Sequence, residues 1–221
     1  VPVGENLTDH LLIGIVYNAK REISELNALC TEGCAFARST ADRQDCDIEI
    51  SFATKPHFAP EATDNLPRFT IIPGITKPKS RGTVRLSSAD PSGRLVIDPN
   101  YFDDPDDMKT MICAVRLSRE IGKQPALAQW TSGEWWPGTD VESDEAISKY
   151  IEDGVSTWFH PVGTCRMGIG SNSVVDPNLR VHGIQNLRVA DASIMPEIVG
   201  VNTHGASVMI GWKAGSLMLV S

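Results

Sequence analysis

The sequence predicts an α+β fold, in which an antiparallel sheet is combined with flanking helices, and three observations predict it. Between residues 10 and 100, short segments of alternating polar and apolar residues recur at close spacing, as consecutive antiparallel strands do. From residue 104 onward, helix-start signals and helical spacing of apolar residues replace that pattern. Finally, 41% of the 221 residues are hydrophobic and 22% are charged, which is typical of a globular chain with a core.

Five segments in the first half carry strand patterns. The apolar run that begins at Leu11 predicts a buried strand, and the segment that begins at Asp47 alternates polar and apolar residues. A third segment stops at Pro73, which cannot donate a backbone hydrogen bond. Residues 20–30 favour a helix, and residues 34–44 predict a loop. The predicted strands are 11–17, 47–52, 69–73, 82–87 and 94–98.

Three helices are predicted in the second half. The first spans 104–122, where an N-cap aspartate, a proline in the first turn and further acidic residues suit the positive end of a helix dipole. The second runs from Ser143 to Ile151 and also begins with acidic residues. The last spans 203–219 and is mostly apolar.

Charge and cysteine content exclude several classes of partner. Twenty basic and 28 acidic residues give a net charge of −8 without a basic tract, so we expect neither nucleic acid nor an anionic membrane surface as a partner. The apolar run 11–17 is too short to span a bilayer. Five cysteines stand at irregular gaps without a second cysteine or histidine pair, so we expect no metal site. Reduced thiols and a cytoplasmic location are the default expectation.

The first residues read VPVGENL, with neither an initiator methionine nor a charged-then-apolar leader. They form no self-contained hairpin or helix pattern. We therefore expect an upstream segment that has been removed or belongs to another polypeptide.

The densest group of unusual residue choices is 158–168, which reads WFHPVGTCRMG. His160 stands directly before Pro161, so its backbone is biased toward an extended conformation. One interpretation is an imidazole presented from a rigid turn as a general acid or base, because its pKa lies near operating pH. The other is a packed turn in which the histidine only satisfies a hydrogen bond.

A second group, 200–207, reads GVNTHGAS and leads into the last predicted helix. Asn202 and Thr203 are good N-cap residues, and the small residues after His204 leave the first turn without bulk. Such a helix start allows a flat or anionic group to approach free backbone N–H groups. The alternative is an ordinary capped helix with an exposed histidine.

Other polar residues give weaker signals. Residues 187–190 predict a buried strand that ends at Asp191, which marks either a ligand edge or a turn cap. His182 lies in a tight turn and is expected to be structural. The stretch around Cys165 lacks the G-x-S-x-G spacing of a hydrolase, and the glycines of 168–170 lack the strand-to-helix context of a dinucleotide site.

In this order, the segments resemble the carboxyl-terminal half of the glucose–methanol–choline (GMC) oxidoreductases, a family of FAD-dependent alcohol oxidases and dehydrogenases that includes choline dehydrogenase-like enzymes. Residues 4–10 read GENLTDH and are similar to the family's G-x-N-L-x-D-H stretch. Residues 97–101 (IDPNY) and 160–168 (HPVGTCRMG) are similar to two further family motifs, and 175–204 is similar to the family's closing segment.

The resemblance implies roles for particular residues. His160 would be the general base for the alcohol hydroxyl, and His204 would take the second active-site position, held by histidine or asparagine across the family. The cofactor implied is FAD, whose N5 atom would accept a hydride as a primary alcohol becomes an aldehyde. The implied FAD-binding residues are Phe159, Asp191, Ala192, Thr203, Gly205 and Ala206.

The resemblance also implies a fold and a partner. It implies an antiparallel-sheet substrate domain over residues 10–152, with flanking helices. Residues 1–9 and 153–221 would be the hinge and the closing segment of an FAD-binding α/β (Rossmann-like) domain. The family's G-x-G-x-x-G fingerprint is absent from this chain, so we expect FAD binding to require an amino-terminal half, on the same or a separate chain.

Three functions therefore stand as alternatives at this point. The first is FAD-dependent oxidation of a small-molecule alcohol. The second is hydroxynitrile cleavage on the same scaffold, with FAD in a structural role. The third is a non-catalytic half that only associates with its amino-terminal partner. The residues leave open which alcohol is the substrate and whether the electron acceptor is oxygen.

Overall fold

The computed structural model describes residues 2–23 and 31–219. Its strands are β1 (Leu11–Leu12), β2 (Ile15–Ala19), β3 (Thr31–Ala37), β4 (Ile48–Ala53), β5 (Arg68–Ile75), β6 (Thr83–Leu86), β7 (Leu95–Asp98), β8 (Thr131–Trp136) and β9 (Ser156–Thr157). Its helices are α1 (Pro105–Gly122), α2 (Pro125–Ala128), α3 (Asp144–Gly154) and α4 (His204–Leu219), with a 3₁₀ turn at Ala192–Ile194. These elements confirm a mixed architecture of helices and antiparallel sheets.

The chain divides into two compact units. The sheet unit comprises residues 11–76 and 105–158, and the histidine unit comprises residues 2–10, 77–104 and 159–219. The limits expected from the sequence placed all of 10–152 together, whereas residues 77–104 lie in the histidine unit. The reason is local: Gly82 pairs with Leu7 through two backbone hydrogen bonds, which tie the β6–β7 hairpin to the first residues of the chain.

Strand β5 is the centre of the sheet unit. Seven of the nine described strands form one antiparallel sheet, in which β5 pairs with β4 on one edge and with β1 and β2 along the other. All eight β5 residues are buried. Pro73 was expected to end this strand, but it lies within it, because its carbonyl oxygen still accepts a hydrogen bond from Ile13 N–H at 3.0 Å.

Several predicted elements differ in detail from the structure. The run 11–17 is buried as expected but is interrupted at residues 13 and 14. Part of the loop expected at 34–44 belongs to β3, and β8 was not predicted. Residues 20–23 are not helical, and residues 24–30 of the helix expected at 20–30 lie outside the described residues. The three later helices are confirmed, with shifts of up to three residues at their ends.

Helix α1 packs on the sheet through one face. Met111, Ala114, Val115 and Ser118 are buried, at the three- and four-residue spacing of a helix face. Helix α1 packs against β4 and β5 and also contacts α3. The core of the sheet unit therefore lies between β5 and α1.

The histidine unit has a separate core. Its buried apolar residues come from the irregular segment after Val162 and from the inner face of α4, where Ile210 and Ala214 are buried. Among the residues described, no helix is both long and apolar enough to cross a membrane. Nor do the described residues contain a group of three or more histidine, cysteine, aspartate or glutamate side chains that could hold a metal ion.

A bidentate ion pair is buried in the sheet unit. The Arg119 guanidinium donates to the two carboxylate oxygens of Glu134 at 2.7 and 3.0 Å, and these side chains are only 13% and 7% exposed. Arg116, one helical turn earlier in α1, pairs with Asp144 at the surface, where the side chains are 50% and 68% exposed. The two pairs differ mainly in burial.

We predict that Arg119→Leu lowers the free energy of unfolding by about 3–5 kcal/mol, because it leaves the Glu134 carboxylate buried without its partner. The matched change Arg116→Leu is expected to cost less than about 1 kcal/mol. Urea denaturation of the full-length protein, followed by tryptophan fluorescence, measures both. Equal losses for the two variants would contradict a structural role for the buried pair.

Candidate active site

The segment at residues 4–10, which forms β-bridges at Leu7 and Thr8, organises the histidine unit. Leu7 exchanges backbone hydrogen bonds with Gly82 at 2.9 and 2.8 Å, and Thr8 exchanges them with Val162 at 3.0 and 2.8 Å. Successive residues of an extended chain bond to opposite sides, so this segment lies between two others. The arrangement places its last two residues, Asp9 and His10, beside His160.

Asp9 fixes the backbone at the candidate base. Its Oδ1 atom accepts the backbone N–H of His160 at 3.0 Å, and its Oδ2 atom accepts the Tyr101 hydroxyl at 3.1 Å. Phe159 has a positive φ of 60° and Pro161 follows His160. The chain is thereby held on both sides of the histidine.

His10 contacts the His160 ring directly. The two Nδ1 atoms are 2.9 Å apart, and the rings meet edge to face with centroids 5.1 Å apart. His10 is completely buried, and its Nε2 atom lies 2.9 Å from the Val199 carbonyl oxygen. The buried His10 therefore supports the partly buried His160.

The other ring nitrogen of His160 faces a polar side chain. Its Nε2 atom lies 3.5 Å from the Asn202 side-chain nitrogen. Burial lowers the pKa of His160 below its ordinary value, and the negative charge of Asp9 opposes that shift. The net direction is downward, so the neutral imidazole, which can accept a proton, is favoured at neutral pH.

His204 occupies a different position. It is the first residue of α4, and its side chain is exposed. Within residues 2–23 and 31–219, no hydrogen bond joins His204 to His160. Asn202, expected as a helix cap, instead directs its side chain toward His160.

The residues predicted to bind FAD are spread over three segments. Phe159 is 77% exposed, Thr203 is buried, and open space surrounds the position that a Cβ would take at Gly205. The Asp191 carboxylate accepts Ser193 N–H at 2.8 Å and so caps the 3₁₀ turn that contains Ala192. The predicted list is completed by Ala206, which is partly buried in the first turn of α4.

Two expectations near these residues can be compared directly with the structure. The buried strand expected at 187–190 was wrong: Leu187 is exposed, and only an isolated bridge joins Arg188 to Arg180. His182, expected to be structural, lies 3.0 Å from the Gly168 carbonyl and 3.2 Å from the Ser173 hydroxyl. Its bonds are those of a turn-stabilising residue.

Sequence reasoning assigned no role in the site to Asp9, His10 or the Asn202 side chain. The first two end the stretch 4–10, which was used only for its resemblance to a family motif. Their contacts with His160 join residues that are 150 or more positions apart. Local periodicity contains no information about such pairings.

Comparison with known proteins places this chain in a family. The family model described as GMC oxidoreductase matches residues 78–211, which is more than half of the chain. The chain belongs to the GMC oxidoreductase family. The resemblance read from the motifs is thereby confirmed.

Individual relatives in the GMC family extend the comparison. Choline oxidase from Arthrobacter globiformis is 38% identical over 224 residues, which cover 98% of this chain and 41% of that protein. The crystal structure of pyridoxine 4-oxidase from Mesorbium loti has a TM-score of 0.92 and 33% identity, and covers 100% of this chain and 44% of that one.

A more distant structure shows the fold alone. It is a formate oxidase from Aspergillus oryzae RIB40, studied for FAD modification, with a TM-score of 0.87 and 24% identity over 100% of this chain and 48% of that one. The structural neighbours in the GMC family are FAD-binding flavoproteins. The chain spans less than half of the length of these relatives.

Gly163, just after His160, lies where a side chain cannot fit. Its φ is +94°, and an added Cβ would lie 2.3 Å from the Asn6 carbonyl oxygen. Asn6 in turn donates to the carbonyl oxygens of Gly163 and Pro196 at 3.4 and 3.3 Å. The close backbone approach therefore requires glycine.

We predict that Gly163→Ala destabilises the protein by at least roughly 3 kcal/mol, because the methyl group overlaps rigid backbone. Gly183→Ala is the matched control, since Gly183 has a φ of +77° but nothing within 4 Å of the added Cβ. That change is expected to cost only about 1–2 kcal/mol, from the left-handed conformation. Thermal unfolding of both variants distinguishes overlap from backbone strain, and equal losses would contradict the close approach.

Proposed function

We propose that this chain is the carboxyl-terminal half of an FAD-dependent oxidoreductase that oxidises a primary alcohol to an aldehyde, with His160 as the general base. The observation that carries the proposal is the support of one partly buried imidazole from two sides. Asp9 bonds to its backbone at 3.0 Å and His10 bonds to its ring at 2.9 Å. Membership of the GMC family supports the reaction class.

The chemistry follows from the state of the His160 ring. Because burial lowers the pKa of His160, the ring is neutral near pH 7 and can accept the hydroxyl proton of an alcohol. Loss of that proton together with a hydride from the adjacent carbon converts the alcohol to an aldehyde. When bound, FAD supplies the hydride acceptor at its N5 atom.

Two other residues would orient the substrate oxygen. Asn202 lies on the Nε2 side of His160, where its amide can donate a hydrogen bond to the same oxygen. His204, exposed at the start of α4, would take the second active-site position that the family resemblance implies. Donors aimed at a developing alkoxide stabilise the charge of the transition state.

The described residues fit a flavin. The first N–H groups of α4 have no carbonyl partner within the helix, and Gly205 leaves open space beside them. Such a helix start suits the negative charge that develops on a reduced flavin. FAD would be held by the six predicted residues, Phe159, Asp191, Ala192, Thr203, Gly205 and Ala206.

The remaining FAD contacts would come from an amino-terminal half. The relatives are more than twice as long as this chain, which supports a partner segment of similar size. Apolar residues on the outer face of α4 are exposed, among them Met209, Trp212 and Leu219. We propose that the amino-terminal half covers them, and that the chain is inactive without it.

This proposal assigns a role to each unit. The histidine unit would close the FAD-binding α/β domain, and the sheet unit would contribute the substrate domain. Choline oxidase and pyridoxine 4-oxidase act on different molecules, as their names state. The proposal is therefore limited to a small-molecule alcohol as the substrate class.

Anaerobic mixing of the full-length flavoprotein with a panel of primary alcohols tests the proposal. We expect one alcohol to bleach the oxidised-flavin absorption, and His160→Gln to slow that reduction by about 10²- to 10⁴-fold. His182→Gln, which removes a structural histidine from the same unit, is expected to leave the rate within a few fold. A flavin that no alcohol bleaches would contradict the proposal.

The same measurement has a predicted pH dependence. Protonation removes the base, so the reduction rate should fall as the pH drops through the pKa of His160. Because burial lowers that pKa, the midpoint of the fall should lie below about pH 6.5, the ordinary histidine value. In His160→Gln this acid limb should be absent, and its persistence would mean that another group is the base.

A further inference from the structure

We propose that His10 is a positioning residue that holds His160 in the tautomer with hydrogen on Nδ1 and a lone pair on Nε2. The inference rests on the proposed role of His160 as the base, and it names the atom that takes the proton. Three contacts within the histidine unit carry it.

The first contact fixes the tautomer of His10. Its Nε2 atom lies 2.9 Å from the Val199 carbonyl oxygen, and a carbonyl oxygen can only accept a hydrogen bond. The hydrogen is therefore on Nε2. In a neutral imidazole the other nitrogen then has a lone pair and accepts.

The second contact passes this constraint to His160. The Nδ1 atoms of His10 and His160 are 2.9 Å apart, so one of them donates and the other accepts. Since Nδ1 of neutral His10 is the acceptor, Nδ1 of His160 is the donor. Neutral His160 consequently has its lone pair on Nε2.

The third contact agrees independently. The Asn202 side-chain nitrogen, which donates hydrogen bonds, lies 3.5 Å from Nε2 of His160. A donor on this side suits a lone pair and not a second N–H group. Both ends of the His160 ring therefore indicate the same tautomer.

Burial makes His10 a rigid template. The side chain is completely buried, and the two rings are almost perpendicular, at 89°. Rotation of the His10 ring would move its Nε2–H away from Val199 and its Nδ1 lone pair away from His160, and leaving buried polar groups unpaired is costly. The Asp9 carboxylate is the charged group beside His160, and it bonds to the His160 backbone and to Tyr101.

A neutral partner has a consequence for the base. In a serine–histidine–aspartate triad, a carboxylate fixes the histidine tautomer and also stabilises the imidazolium. An imidazole such as His10 fixes the tautomer of His160 but carries no negative charge itself. When His160 gains a proton at Nε2, its Nδ1–H continues to donate to His10, so the ring keeps its position throughout.

Nitrogen NMR of the full-length flavoprotein, labelled with ¹⁵N in its histidine rings, tests the tautomer directly. Signals that disappear in His160→Gln identify His160. At a pH above its pKa, we expect a protonated-type shift for Nδ1 and an unprotonated-type shift for Nε2. The reverse pattern in the wild-type protein would overturn the proposal without any measurement of activity.

Two variants of His10 separate positioning from packing. His10→Leu removes both hydrogen bonds, and we expect His160 to shift toward the Nε2–H form and flavin reduction to slow by about 10²-fold or more. His10→Gln offers an amide oxygen to His160 and an amide N–H to Val199, so it should restore the Nδ1–H tautomer and most of the rate. An unchanged tautomer in His10→Leu would overturn the proposal.

The outcomes remain distinct if a variant fails. If His10→Leu does not fold, the wild-type spectrum and His10→Gln still decide the tautomer, and loss of the Nδ1–H form in His10→Gln would count against the proposal. If no alcohol reduces the flavin, the proposed function fails while the NMR result stands by itself. If the wild-type protein has the expected His160 tautomer but His10→Leu reduces its flavin at an unchanged rate, only the positioning role of His10 is refuted.

Discussion

Backbone hydrogen bonds hold residues 4–10 between two other segments, and the position of His160 depends on them. Leu7 bonds to Gly82 on one side and Thr8 bonds to Val162 on the other. The next two residues, Asp9 and His10, supply the groups that contact His160. Side chains in the segment are thus placed by the backbone pairing, because register fixes where every following residue lies.

The chemistry of the candidate base follows from that placement. A lowered pKa keeps a histidine unprotonated at neutral pH but also makes it a weaker proton acceptor. Its tautomer and orientation therefore determine whether it can act as the base. The neutral His10 ring orients His160, while the Asp9 carboxylate limits how far burial lowers the pKa of His160. Two adjacent residues therefore have separate effects on His160: the uncharged His10 sets its orientation, and the charged Asp9 opposes the lowering of its pKa.

Local sequence patterns predicted the elements that depend on local physics. Helix α1 was predicted by its acidic first turn and apolar spacing, and β4 by its alternation. Strand β8, which contains Gly133, shows no alternation and forms through pairing with β2. Pro73 lies inside β5 because Ile13, between β1 and β2, donates to its carbonyl oxygen, and a sequence pattern cannot reveal this contact.

The candidate site shows the same difference between features set by local sequence and features set by contacts between distant residues. His160 was found because an unusual motif surrounds it, whereas His10 was missed because its partner lies 150 residues away.

A crystal structure of the full-length protein with FAD and an alcohol would test the central claim most directly. The account predicts the substrate hydroxyl about 2.6–3.2 Å from Nε2 of His160. A hydroxyl bound away from His160, or bonded to it through Nδ1, would contradict the account.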